Sequence, residues 1–269
     1  MLDFLMVSMR SPKKDTVEIY PKFIVKGTSK DLMIRGGDFY AIWNEETGLW
    51  STDENTAIEL IDKELKEFYE ERKDVLHGEN VKIMYMWDSD TGSIDKFHRY
   101  CQHQMRDHYH VLDDKIIFAD VNTTRSDYAS KKLSYALTPC NIDHYRHLST
   151  TLYSAEELHK LEWAIGAIIT GDAKKIQKFE VLYGAAGTGK GTMLDIIAQL
   201  FDGYYCTFEA KALGSANASF ALEPFKGNPL VAIQFDGDLS KIEDNTRLNS
   251  LVSHEEMIVN EKFKSAYTS

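Results

Sequence analysis

The chain has 269 residues, with 42 Asp and Glu against 31 Lys and Arg, a formal net charge of −11. That length suits one large domain or two small ones. The acidity disfavours binding nucleic acid over the whole surface, while leaving room for a local basic site or a basic ring lumen. Its 14 Tyr, 13 Phe and 4 Trp argue against disorder. No apolar run reaches the ~18 residues of a membrane-spanning helix, so no membrane partner is expected. Met1 to Ser11 lack the basic start and small-residue cleavage site of a signal peptide. Cys101, Cys140 and Cys206 are too widely spaced for a disulfide framework or a Cys-rich zinc site. A reducing, cytoplasmic location is expected.

No internal repeat is visible. Gly36 to Trp43 and Gly48 to Trp50 read as two short strands around a turn. Ile58, Ile61, Leu65, Phe68 and Tyr69 predict a helix over Thr56 to Arg72. Val81 to Trp87 predicts a strand, Asp88 to Gly92 a turn, Ser93 to His110 a second helix and Ile116 to Val121 a further strand. Residues 1–150 are thus expected to form a small mixed α/β domain of unknown binding role. In the second part, 151–269, Ser154-Ala155-Glu156-Glu157 is a capping box, starting a helix that ends near Thr170-Gly171-Asp172. Phe179 to Tyr183, Tyr204 to Phe208 and Leu230 to Phe235 are strand candidates, the last apolar except for Gln234. A helix carrying Met193, Leu194, Ile196, Ile197 and Leu200 follows the first of them. Strand–loop–helix–strand order implies a parallel sheet.

The strongest signal is Gly184-Ala185-Ala186-Gly187-Thr188-Gly189-Lys190-Gly191-Thr192, a GxxxxGK loop after a predicted strand and opening a predicted helix. Its glycines let backbone amides curl around phosphate oxygens, and the helix start adds unpaired N–H groups. Lys190 would reach the β- and γ-phosphates of a nucleotide, ATP in this reading. Gly191 stands where Ser or Thr usually contacts Mg²⁺. Either Thr192 supplies that hydroxyl, or phosphates, waters and a distant acid hold the metal. The candidate acid is Asp236, at the end of the Leu230 to Phe235 strand, where strand C-termini line a ligand crevice. Asp238 is the available second acid for orienting an attacking water.

Taken in order, Gly184 to Thr192, the Asp236 strand, Leu248-Asn249-Ser250-Leu251 and Glu261-Lys262-Phe263-Lys264 resemble the superfamily-three helicases. The closest likeness is to the poxvirus-type and phage or plasmid primase-helicases, over about residues 110–269. The resemblance implies a partial AAA+-type parallel sheet, preceded here by the small α/β domain. It also implies an ATP-dependent DNA helicase, or the helicase half of a primase-helicase, in phage or mobile-element replication. Subunits would form a ring, a hexamer if the core is complete, with ATP at the interfaces and other replication proteins as partners. Lys190 and Mg²⁺ would neutralise the phosphates, Asp236 or Asp238 would prepare water, and Lys262, Phe263 and Lys264 would grip single-stranded DNA from a hairpin. The sequence departs from the pattern at Ser253-His254-Glu255-Glu256, where the family has a Gly-Gly pair, and it ends before the sensor asparagine and arginine finger. It is therefore expected to span the N-terminal half of such a core.

Two alternatives belong to other classes. The Gly after Lys190 is also found in adenylate-kinase-type loops, but those open their chains and are followed by an Arg-rich lid, whereas only Arg247 lies beyond residue 190 here. A non-catalytic ATP-binding interaction module is the other. Among weaker features, His98, Cys101, His103, Asp107, His108 and His110 lack the paired spacing of a zinc finger and read as an exposed polar helix. Asp88-x-Asp90-x-Gly92 starts like a calcium or primase metal site but lacks the rest, and reads as a turn. Trp43 and Trp50 read as packing residues of a hairpin rather than base-stacking platforms.

Overall fold

The computed structural model describes residues 2–215, 221–237, 245–255, 257–259 and 267–268. Its first 23 residues carry Pro12 and Pro21 and no clean alternation, yet they form the longest strands. β1 (Leu5–Lys13) pairs antiparallel with β2 (Thr16–Phe23) around a turn where Asp15 takes a φ of 60°. β2 also pairs in parallel with β6 (Asn80–Ile83), which realises only the start of the expected Val81 to Trp87 strand. A second sheet runs β3 (Leu32–Arg35), β4 (Asp38–Asn44), β5 (Leu49–Ser51), all antiparallel, with Trp43 opposite Trp50.

Side-chain alternation along that sheet separates two cores. Leu32, Ile34 and Ile42 pack with α1 (Glu54–Arg72) and α2 (Ser93–His103). Met33, Ala41, Trp43 and Trp50 pack with Leu112 and Tyr128 on the other face. α1 starts where the Asp53 carboxylate accepts the Asn55 N–H at 2.9 Å, and it buries Ala57, Ile58, Ile61 and Leu65 on one stripe. α2 stops at His103 rather than His110. Beyond it, Gly27 donates to the Gln104 carbonyl, and His108 exchanges backbone bonds with Ile34, so the chain runs extended beside β3.

The molecule divides into two units, Met1–Leu112 with Asn122–Ser130, and Asp113–Val121 with Lys131–Ser269. The expected division after residue 150 falls inside α3 (Asp143–Leu152), a helix of the second unit. Arg125 ties the 122–130 segment to the first unit. Its guanidinium donates to buried Asp31 at 2.7 Å, lies 2.8 Å from Glu45 and covers the Trp43 ring. The Trp43 N–H and Arg125 hold the Glu45 carboxyl below its usual pKa.

The second unit begins with 113–121. Ile116 to Val121 forms no strand ladder; Ile117 and Ala119 make single bonds to Leu133 and Tyr135. Its clamp is Tyr204, fully buried, whose hydroxyl accepts from the Ile117 N–H at 3.1 Å and donates to the Lys131 carbonyl at 2.8 Å. Burial pushes this phenol up to about 12. α4 (Ala155–Thr170) carries the expected capping box between Ser154 and Glu157 and ends at Gly171, with φ 74°. α5 (Ala173–Ile176), α6 (Lys190–Leu200), β7 (Tyr205–Thr207), α7 (Ala210–Leu213), β8 (Val231–Ile233) and α8 (Thr246–Val252) follow. β7 and β8 are parallel, Tyr205 opposite Val231, and they pack on Leu161, Met193, Ile197 and Phe201. Phe179 to Tyr183 does not join them. It enters no ladder among the described residues, and Phe179, Val181 and Tyr183 stay exposed. A last antiparallel pair joins β9 (Ile258–Val259) and β10 (Tyr267–Thr268). No helix among the described residues is long and apolar enough to cross a membrane.

Two substitutions test the clamps. Tyr204→Phe strands the Ile117 N–H and the Lys131 carbonyl, and is expected to cost about 2 kcal/mol. Arg125→Ala leaves Asp31 buried without its cation, and is expected to cost about 3 kcal/mol. Urea titration of each variant reads both losses directly.

Candidate functional site

The glycine loop is built to leave a helix end open. α1 and α4 begin under side-chain caps, from Asp53 and Ser154; α6, like α2, α3, α5, α7 and α8, has no such cap, and its N-cap residue is Gly189. Gly187 and Gly189 take φ values of 79° and 78°, which side chains other than glycine rarely adopt. The first N–H groups of α6 are therefore without an intrahelical or capping partner, the arrangement that binds anions at helix starts. Gly189 is also held from behind. A Cβ there would stand 2.6 Å from a Leu152 methyl, and the Tyr153 hydroxyl donates to the Gly189 carbonyl at 3.5 Å.

Lys190 folds back over the loop. Its ammonium donates to the Gly184 carbonyl at 2.9 Å, the Ala185 carbonyl at 2.7 Å and the Thr188 hydroxyl at 3.3 Å. Thr188 itself donates to the Ala185 carbonyl at 2.9 Å. Three acceptors thus occupy the three protons of the ammonium, in positions that phosphate oxygens could take over. Residues Gly184 to Thr188 lie exposed, as do Gly191 and Thr192 in the first turn of α6.

Asp236 is exposed, three residues past the end of β8. Lys190 and the exit residues Gln234, Phe235 and Gly237 line one apolar cleft of about 720 Å³, whose walls also include Trp163, Leu194 and Leu251. The structure thus brings the loop lysine and the β8 exit to the same cleft, but neither Asp236 nor Thr192 is among the residues that line it. The Thr192 hydroxyl and Asp236 carboxylate are exposed hard oxygen donors of the chemical kind that Mg²⁺ takes. Asp238, Lys262, Phe263 and Lys264 lie outside the described residues. The described β9 and β10 are antiparallel, with 260–266 between them in sequence.

The weaker features receive separate roles. His98 pairs with Glu54 at 2.8 Å, and Asp107 accepts the Gly36 and Gly37 N–H groups. His108 bonds to the Arg106 and Ser29 carbonyls, and His110 stacks on Tyr128 at 4.0 Å. Cys101 is buried, which pushes its thiol up to about 12, far from the thiolate a metal takes. Among the described residues no group of three or more His, Cys, Asp or Glu converges for a metal ion. Asp88 caps a single turn by accepting the Asp90 N–H at 3.1 Å. Trp43 and Trp50 are buried edge to face, 5.7 Å apart, each indole N–H engaged. Sequence reasoning gave no role to Leu152 and none to Gln234, although Gln234 had shown itself as the polar break in an apolar strand.

Residues 182–269, from the glycine loop onward, match a family of unknown function (DUF5906). Comparison with curated proteins finds no match.

Gly189→Ala is expected to destabilise the second unit by about 2 kcal/mol, through the positive φ and the Leu152 clash together. The double variant with Leu152→Ala removes only the clash. Thermal unfolding of the single and double variants separates the two contributions.

Proposed function

We propose that this chain is the nucleotide-binding part of an ATP-dependent DNA helicase of the superfamily-three, AAA+ type, working on single-stranded DNA in phage or mobile-element replication. The observation that carries the reading is the glycine loop: an uncapped α6 start, with Lys190 turned onto the loop's own carbonyls. The parallel β7–β8 pair and an acid at the β8 exit agree with it.

On this reading the backbone amides of Gly187 to Gly191 receive the phosphates of ATP. Lys190 exchanges the Gly184 and Ala185 carbonyls for phosphate oxygens. The exchange keeps its charge paired throughout, so little reorganisation is needed. Mg²⁺, when bound, adds positive charge beside the β- and γ-phosphates. Thr192 and Asp236 are the residues that would hold it, and Asp236 or Asp238 orients the attacking water. Lys262 and Lys264 contact DNA phosphates and Phe263 stacks on a base. Subunits arranged in a ring would hold ATP at their interfaces.

The test is ATP turnover with and without single-stranded DNA, in the native chain and in Lys190→Ala. Turnover stimulated by DNA and reduced about 100-fold or more by Lys190→Ala is the expected result. Lys262→Ala with Lys264→Ala should remove the stimulation and leave DNA-free turnover in place. ATP binding that depends on Lys190 without turnover would replace the motor with a binding module. Phosphoryl transfer to a nucleoside monophosphate would replace it with a kinase.

A further inference from the structure

We propose that Gln234 is the positioning residue for Asp236, linking the β8 exit to the start of α7 through both ends of its amide. The proposal rests on the nucleotide-hydrolysing reading above. The Gln234 Oε1 accepts the Ala210 N–H at 3.0 Å, and its Nε2 donates to the Asp236 carbonyl at 3.2 Å. The amide has only one orientation that satisfies both, because a backbone N–H can only donate and a carbonyl can only accept. One side of the link is fixed. Ala210 and Leu213 of α7 are buried, and Leu213 packs with Leu222, Phe225 and Leu248. The other side needs fixing. β8 is a three-residue strand, and Asp236 stands on an exposed turn beyond it.

The neighbouring residues are shaped around this link. A Cβ at Gly237 would meet the Gln234 Cδ at 2.9 Å and its Nε2 at 3.0 Å, so glycine there leaves the amide its place. The pairing of β7 and β8 continues one residue past β7, with the Phe208 N–H donating to the carbonyl of Ile233, the last residue of β8, at 3.2 Å. Gln234 takes over where that ladder ends. It carries the rigidity of the β7–α7 corner two residues further, to the backbone of the acid. Its own side chain touches neither nucleotide nor metal on this account; it acts through Asp236.

Two variants divide the link. Gln234→Ala removes both bonds. Gln234→Glu keeps an acceptor for Ala210 but cannot donate to the Asp236 carbonyl. Three quantities are measured in each: Mg²⁺-free binding of a fluorescent ATP analogue, the Mg²⁺ concentration for half-maximal turnover, and hydrogen exchange at the Ala210 amide. Unchanged Mg²⁺-free binding is expected in both, since the glycine loop is intact. The Mg²⁺ requirement should rise about tenfold in both. Ala210 exchange should accelerate in Gln234→Ala only. A native Mg²⁺ requirement in Gln234→Glu, or unaltered Ala210 exchange in Gln234→Ala, overturns the proposal. A native chain that neither binds nor hydrolyses ATP overturns the parent reading and this one with it, and shows itself before any variant is made.

Discussion

A helix must begin somewhere, and what satisfies its first N–H groups decides what that end can do. α1 and α4 spend side chains of their own, Asp53 and Ser154, on that task. α6 has no such side-chain bond from its N-cap residue, Gly189, and its preceding glycines turn the chain through positive φ. At Gly189 the positive φ already disfavours any side chain, and the Leu152 side chain fills the space a Cβ would take, which packs the loop against the end of α3. Lys190 places its charge on the loop's own Gly184 and Ala185 carbonyls and on the Thr188 hydroxyl. In a chain of net charge −11, that leaves a local positive centre whose partners are weak neutral acceptors. Such a centre favours an anion over the carbonyls it now holds.

The parallel pair behind the loop is small, but it sets direction. β7 and β8 run the same way, so both deliver their following residues to one end of the pair. β7 leads into α7 and β8 leads to Asp236. Parallel strands need cover on both faces, and Leu161, Met193, Ile197 and Phe201 provide much of it. Phe179 to Tyr183 stands apart from this ladder, with Phe179, Val181 and Tyr183 exposed. It is short and mostly apolar, as a strand would be, but composition supplies only side-chain preference. A ladder also needs a backbone partner, and the described residues bring none to it.

What was legible in the sequence was local. The Ser154 to Glu157 box, the Ile58–Ile61–Leu65 stripe and the glycines before Lys190 each act within a few residues of their own positions, and each appears in the structure at its expected place. β1 and β2 were not legible, because Pro12 and Pro21 interrupt them and their stability comes from pairing with each other and with β6. The helix after Ser93 was read seven residues too long. His108 has helical company in sequence, but its backbone bonds go to Ile34, more than seventy residues away. Ile116 to Val121 failed as a strand for the same kind of reason: its backbone is claimed by the Tyr204 hydroxyl and by single bonds to Leu133 and Tyr135.

The division of the chain follows from these long-range claims. The polypeptide passes from the first unit to the second at 112/113, returns at 121/122 and passes over again at 130/131. Tyr204 draws 113–121 and Lys131 to one unit, while Arg125 draws 122–130 to the other through Asp31, Glu45 and Trp43. Neither clamp has a sequence signature, since a tyrosine and an arginine are ordinary residues until their distant partners are known. A cut after residue 150 would therefore separate Tyr204 from both groups that satisfy its hydroxyl, and would strip α3 to its last two residues, Thr151 and Leu152, beside the loop that Leu152 holds. The unit that carries the glycine loop reaches back to Asp113, and the loop's geometry depends on residues that a motif search would assign elsewhere.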